Sequence, residues 1–154
     1  DWRARLELWS QELHALYARH QWVLEVPLSG LRMGPNRLAW LESALAALTG
    51  TGLTESEMLA TALALDGHAR SMAQVEAGMA AARESTNVGA DEWAPAFARM
   101  LEQVIDQERY PTLSAFLASG VFDGPADGGD DGFEFGLSRL LDGIAALIES
   151  RQRS

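Results

Sequence analysis

Apolar residues recur at helical spacing over most of this chain. The first stripe steps by four, three, four and three residues along Trp2, Leu6, Trp9, Leu13 and Leu16. This spacing predicts an amphipathic helix over about residues 2–20. A second stripe follows Pro35, which suits the first turn of a helix, and it runs through Leu38, Leu41, Leu45 and Leu48. No segment alternates as a strand does, so the pattern predicts an all-α fold.

Four more helices follow from caps and breakers. Thr54 and Glu57 fit a capping box, which opens a long helix to about Arg83. Asp91 is a candidate N-cap for a helix reaching about Glu108. Pro111 starts a shorter helix that ends at Gly120, and the final helix runs from about Gly132 to Arg151. These segments predict an orthogonal bundle of about six helices in one domain over residues 1–154.

The last predicted helix combines an apolar stripe with a line of glycines. Gly136 and Gly143 lie two turns apart beside that stripe, and each glycine costs ~1 kcal/mol against alanine inside a helix. Such a line indicates a backbone that approaches another helix closely, as in a subunit contact. A last core helix of a monomer is the alternative. The predicted dimer-interface residues are Gly136, Leu140, Gly143, Ile144 and Leu147.

Charge and composition exclude several functions for this segment. The net charge is −10, and the basic residues form no run. Because nucleic-acid affinity comes largely from basic side chains that neutralise phosphates, DNA or anionic membrane is not an expected direct partner. The chain has no cysteine, no signal-peptide pattern and no apolar run long enough to span a bilayer, which favours the cytoplasm.

No metal, cofactor or catalytic motif is apparent. The three histidines lack partners at metal-ligand spacing. The Asp- and Gly-rich stretch 123–134 matches part of a calcium-binding loop, but Pro125 occupies a ligand position. We therefore expect no cofactor, no metal and no enzymatic activity. For His68, on the long helix, the sequence leaves a satisfied buried histidine, a ligand contact and a catalytic base open, in that order.

Large apolar side chains come from several of the predicted helices. Core packing is their default explanation, but a cavity between helices that is apolar with a few polar groups is typical of small-molecule sites. The residues that would converge there are Trp9, Met33, Trp40, His68, Met72 and Trp93.

Several motifs resemble one known family. They are Trp2, Leu41-Glu42 with Leu45 and Leu48, Gly52-Leu53, Gly67-His68, and Phe133 to Leu137 through Gly143. Together they extend over nearly the whole chain. In this order they resemble the C-terminal ligand-binding and dimerisation domain of TetR-family transcriptional repressors, in particular the tetracycline-repressor-like subgroup.

The resemblance implies a homodimer in which the long helix and the C-terminal helix form a four-helix bundle with their symmetry mates. It also implies a small-molecule effector, and operator DNA bound only through an N-terminal helix-turn-helix domain that this chain does not contain. Two alternatives remain. One is a stand-alone domain without a DNA head that binds or transforms a natural product, and the other is a purely structural dimerisation module with a filled core.

The resemblance also implies positions for the pocket. On the matching helices the expected ligand-binding residues are Trp9, Leu13, Leu41, Ala44, Leu45, Leu63, Ala64, Gly67 and His68, with Arg32 and Met33 at the corner before the second helix and Trp40 and Met72 nearby. Tetracycline sensors place a metal-chelating histidine at that corner, and this chain has none there. An apolar, aromatic effector is therefore expected, with His68 and Arg32 as its polar contacts.

Overall fold

The computed structural model describes residues 1–25, 34–86, 89–120 and 132–153, and in these ranges the chain is helical without strands. The helices are α1 (Trp2–Arg19), α2 (Pro35–Leu48), α3 (Glu55–Thr86), α4 (Ala90–Val104), α5 (Pro111–Ala118) and α6 (Gly132–Gln152), and a 3₁₀ helix over Gln21–Glu25 follows α1. The predicted all-α class is confirmed. The pairing of α3 and α6 with a symmetry mate stays a prediction.

The capping box predicted before α3 is confirmed. The backbone amide of Thr54 donates to Glu57 Oε2 at 2.9 Å. In return the amide of Glu57 donates to Thr54 Oγ1 at 3.3 Å. The preceding turn uses Gly50 and Gly52 at φ of +81° and +89°, values that favour glycine. These contacts fix where α3 begins.

The predicted bounds of α4 are wrong at both ends. Gly89 is the N-cap residue, so Asp91 lies inside the helix, and the helix ends at Val104 rather than near Glu108. The Asp106 carboxylate accepts from the amides of Glu108 and Arg109 at 2.9 and 3.4 Å. These local bonds give the backbone a turn to form in place of a further helical turn.

The chain divides into two compact units. The first comprises residues 1–77 and 132–154, and it holds α1, α2, most of α3, and α6. Its core includes α6 side chains that are at most 5% exposed, namely Phe133, Leu137, Leu141 and Ile148. This buried line of α6 is distinct from the line that carries Gly136, Leu140 and Gly143.

The second unit comprises residues 78–131 and is built differently. Its helices α4 and α5 pack on one another, and the Trp93 and Phe97 rings stack at 5.1 Å. Ala94 is its one buried apolar side chain among the described residues. In the described ranges of the whole chain, no helix combines the length and apolar character needed to cross a membrane.

Candidate functional site

The first unit contains a cavity of about 510 Å³ bounded by α1, the 3₁₀ helix, α2 and α3. This volume lies within the range of sites that hold drug-sized ligands. Its described walls are mostly apolar or aromatic, with a few polar groups. They are formed by Trp9, Leu13, Leu16, Tyr17, His20, Trp22, Val23, Gly34, Asn36, Arg37, Trp40, Leu41, Ala62, Leu63 and Asp66.

Two tryptophans form a fixed part of the wall. Trp9 Nε1 donates to the backbone carbonyl of Trp40 at 2.9 Å. The two rings meet edge to face, with centroids 6.0 Å apart and planes at 63°. This arrangement is a favourable aromatic geometry and satisfies the indole N–H of Trp9. The Trp9 ring is therefore joined to the backbone of α2, and the Trp40 ring packs against it.

The polar end of the cavity is built around Asp66. The Tyr17 hydroxyl donates to Asp66 Oδ1 at 2.6 Å. Arg37 Nη2 lies 3.6 Å from Asp66 Oδ2, and the two side chains are 42% and 15% exposed. The contact with Tyr17 is a short hydrogen bond to a charged acceptor, whereas the contact with Arg37 exceeds hydrogen-bond length.

Tyr17 is held in its neutral, proton-donating form. Burial, followed by the hydrogen bond to Asp66 and the charge of that carboxylate, raises the pKa of Tyr17 to about 12. The Arg70 guanidinium lies 5.8 Å from the centre of the Tyr17 ring and donates to the carbonyl of Leu24. Tyr17 and Arg70 thereby connect α1, α3 and the 3₁₀ helix beside the cavity.

The structure brings some of the predicted ligand-binding residues together and separates others. Trp9, Leu13, Trp40, Leu41 and Leu63 line the cavity. The other described ones, which are Ala44, Leu45, Ala64, Gly67, His68 and Met72, are not among its lining residues. Ala44 is fully buried in the core, whereas Ala64 and Gly67 are exposed on α3. Arg32 and Met33 lie outside the described residues.

His68 belongs instead to a stack of rings, which we call the histidine–phenylalanine stack (His14, His68 and Phe133). Its Nε2 lies 2.9 Å from the backbone carbonyl of Phe133. The imidazoles of His14 and His68 lie parallel to the Phe133 ring, with centroids 4.2 and 5.4 Å away. His14 Nε2 is also 3.1 Å from Glu76 Oε1. In this structure His68 is a satisfied, partly buried histidine.

Gly136 makes room for that stack. A Cβ atom built on Gly136 would overlap the imidazole ring of His68. The equivalent atom on Gly143 would meet nothing within 4 Å. The first glycine therefore has a packing reason within its own chain, whereas the second faces open space.

The sequence analysis missed the polar end of the cavity. Tyr17 lies four residues, about one helical turn, after Leu13 and continues the first apolar stripe. Its place on that face of α1 could therefore have been predicted from the spacing. Asp66 follows the core residue Leu65 on α3 and gave no comparable signal. Arg37 lies in the first turns of α2, where a solvated role was the default.

A metal site finds no support in the described part of the chain. No group of three or more histidine or acidic side chains there is arranged to hold an ion. The Asp- and Gly-rich segment up to Asp131, considered above for calcium, lies outside the described residues.

Comparison with known proteins shows the family of this all-α chain. The family described as "Tetracyclin repressor-like, C-terminal domain" matches residues 1–148, and the chain belongs to this family. The resemblance inferred from Gly67-His68 and the Phe133–Leu137 motif is thereby confirmed. The family comprises regulators of transcription rather than enzymes.

The HTH-type transcriptional repressor DrrR1 of Streptomyces coeruleorubidus is a curated relative. It is 34% identical over 151 residues, which cover 98% of this chain and 54% of the relative. The chain therefore spans about half the length of this repressor.

Proposed function

We propose that the chain is the effector-binding and dimerisation core of a TetR-like transcriptional regulator. Its effector is a small, largely apolar and aromatic molecule that binds between α1, α2 and α3. The cavity of about 510 Å³ with tryptophan walls is the observation that carries this proposal.

The size and lining of the cavity favour a ligand site over a packing defect. The cavity opens to solvent, and its volume of about 510 Å³ lies within the range of sites that hold drug-sized ligands. Most of its described walls are apolar or aromatic, and the Trp9–Trp40 pair offers aromatic surface to a ligand ring.

Apolar groups on α6 that its own core does not cover support the dimer. Gly143 is exposed, and Leu140 and Leu147 are only partly buried. Phe135 is 56% exposed on the same helix. A symmetric dimer repeats one surface on both subunits, so a single apolar helix line can cover itself.

DNA binding is assigned to sequence outside this chain. The relative whose name marks it as an HTH-type repressor is about twice as long, and the present segment carries a net charge of −10. Ligand binding here would control DNA binding elsewhere only if the ligand prefers one conformation of the dimer. A ligand with equal affinity for both conformations would shift nothing.

Native mass spectrometry tests both halves of the proposal. The expected species has twice the chain mass and takes up one aromatic ligand per chain from a panel of aromatic compounds. Gly143→Arg should give a monomer, whereas Ala18→Arg, at an exposed position on α1 outside the proposed interface, should leave the dimer intact. A monomeric wild type that takes up no compound would contradict the proposal.

A further inference from the structure

Asp66 lines the cavity, and one of its two carboxylate oxygens accepts no hydrogen bond from the described residues. Its Oδ1 accepts the Tyr17 hydroxyl at 2.6 Å. Its Oδ2 has no hydrogen-bond donor among the described residues, since Arg37 Nη2 lies 3.6 Å away. The carboxylate is thus bonded on one side and has acceptor capacity left on the other.

The apolar walls around Asp66 increase what a further hydrogen bond to Oδ2 would contribute to ligand binding. The Asp66 side chain is only 15% exposed, and most of the walls beside it are apolar. Asp66 Oδ2 is not among the fully buried side-chain atoms that lack a partner, so it still meets solvent, and a ligand donor can replace that water. A bond to a charged acceptor in such a setting is stronger than a neutral one.

We infer that the effector carries a hydrogen-bond donor, an ammonium or a hydroxyl group, which binds Asp66 Oδ2 while its aromatic body lies against Trp9 and Trp40. This inference rests on the proposed function and adds the chemistry of the ligand's polar end. An effector with a carboxylate at that end is disfavoured, because it would face Asp66.

The neighbouring cations are compatible with this arrangement. Arg37 is 42% exposed, so its guanidinium can remain solvated when a ligand donor takes its place beside Oδ2. Arg70 is engaged with the carbonyl of Leu24 and the face of Tyr17. Tyr17 stays protonated and keeps Oδ1 occupied, so Oδ2 is the oxygen that a ligand meets.

A matched series of naphthalenes separates the donor from the aromatic body. The four probes are 1-methylnaphthalene, 1-naphthalenemethanol, 1-naphthylmethylamine and 1-naphthoate, each titrated into the chain by calorimetry. We expect at least one donor-bearing probe to bind about tenfold more tightly than the methyl compound, the size of one such hydrogen bond. The hydroxyl and amine arms show which form of donor the site prefers, and the naphthoate should bind most weakly.

Asp66→Asn is the informative variant, because the amide oxygen can still accept from Tyr17. It should remove most of the donor's advantage and leave the affinity for 1-methylnaphthalene unchanged, which also shows that the cavity is intact. Glu42→Gln is the control, since Glu42 lines a separate groove that shares Trp9 and Trp40 with the cavity. If Asp66→Asn does not fold, Arg37→Gln keeps the carboxylate and removes its competing cation. This variant should retain or raise the affinity for the donor-bearing probe.

The outcomes distinguish this inference from the proposed function. Equal affinities for the methyl, hydroxyl and amine probes would overturn the donor assignment and leave the aromatic site standing. The same holds if Asp66→Asn keeps the full advantage of the donor, or if Arg37→Gln loses it. Binding of none of the four probes would contradict the aromatic effector itself, and the donor assignment with it.

Discussion

The polar end of the cavity and the histidine–phenylalanine stack are built from similar residues, but the two regions differ in how completely those residues are bonded and packed. Asp66 and His68 lie two positions apart on α3, and each contacts an aromatic residue of another helix. In the stack the imidazole is bonded to a carbonyl, and the space beside it is filled up to Gly136. In the cavity, Asp66 Oδ2 accepts no hydrogen bond from the described residues, although Arg37 Nη2 lies 3.6 Å away, and Asp66 lines the open space. Residue type alone therefore does not distinguish a core position from a candidate site. The distinguishing feature is a hydrogen-bond acceptor without a partner that borders an open cavity.

The largest expected contrast comes from removing one ring in each region. Phe133 is 2% exposed, so Phe133→Ala should cost about 3–5 kcal/mol of unfolding free energy. Trp22 lines the cavity but is 67% exposed, so Trp22→Ala should change stability by no more than about 0.5 kcal/mol while weakening 1-methylnaphthalene binding. Urea unfolding at fixed protein concentration and calorimetry measure the two effects. A stability loss in Trp22→Ala as large as that in Phe133→Ala would erase the distinction between the regions.

Two glycines on α6 sharpen the same comparison. Gly136→Ala places a methyl group against the ring of His68 and should cost about 1–3 kcal/mol. Gly143→Ala meets no atom in its own chain, so it should be neutral or stabilise by up to about 1 kcal/mol through helix propensity, unless it perturbs the proposed dimer. Adding His68→Ala to Gly136→Ala should relieve the clash, so that the double variant loses less than the sum of the single ones. Additive losses in that cycle would contradict the packing assigned to the stack.

At the cavity, Tyr17→Phe should cost about 1–2 kcal/mol, because Asp66 loses its short hydrogen bond. The folded-state pKa of Tyr17 is raised from 10.0 to about 12, so its contribution is complete below pH 10 and is lost as the pH rises towards 12. The difference in unfolding free energy between wild type and variant should therefore be constant from pH 7 to 9 and shrink above pH 10. A difference that grows at alkaline pH would contradict the protonated tyrosine.

A contact that belongs to neither region provides the smallest expected effect. Hydrogen bonds from Arg151, and then from the Thr54 backbone, lower the pKa of Glu57 to about 2. Its contribution is present above its ordinary pKa of 4.5 and is lost as the pH falls towards 2. Glu57→Gln should destabilise slightly at pH 7, less than Tyr17→Phe, and match wild type near pH 2. Thermal unfolding over this range measures the difference, and a gap that persists at pH 2 would exclude the assigned ionisation.

The helices were largely predictable because each depends on neighbours along the chain. The stripe from Trp2 to Leu16 and the capping pair Thr54 and Glu57 predicted the course of α1 and the start of α3. The end of α4 was not predicted, since the Asp106 side chain competes for backbone amides just beyond it. The family was recognisable from short motifs, and its match over residues 1–148 confirms it.

The sequence alone determined the helical class, most helix bounds and the family, because periodicity, caps and motifs are local properties. Only the tertiary structure decided which polar residue meets the cavity. The Tyr17–Asp66 bond joins residues 49 positions apart, and the contact of His68 with Phe133 joins residues 65 positions apart. Both depend on how α1 and α6 lie against α3. Helical spacing states which face of a helix a side chain occupies, but the distance to the facing helix determines whether that side chain fills space or borders it.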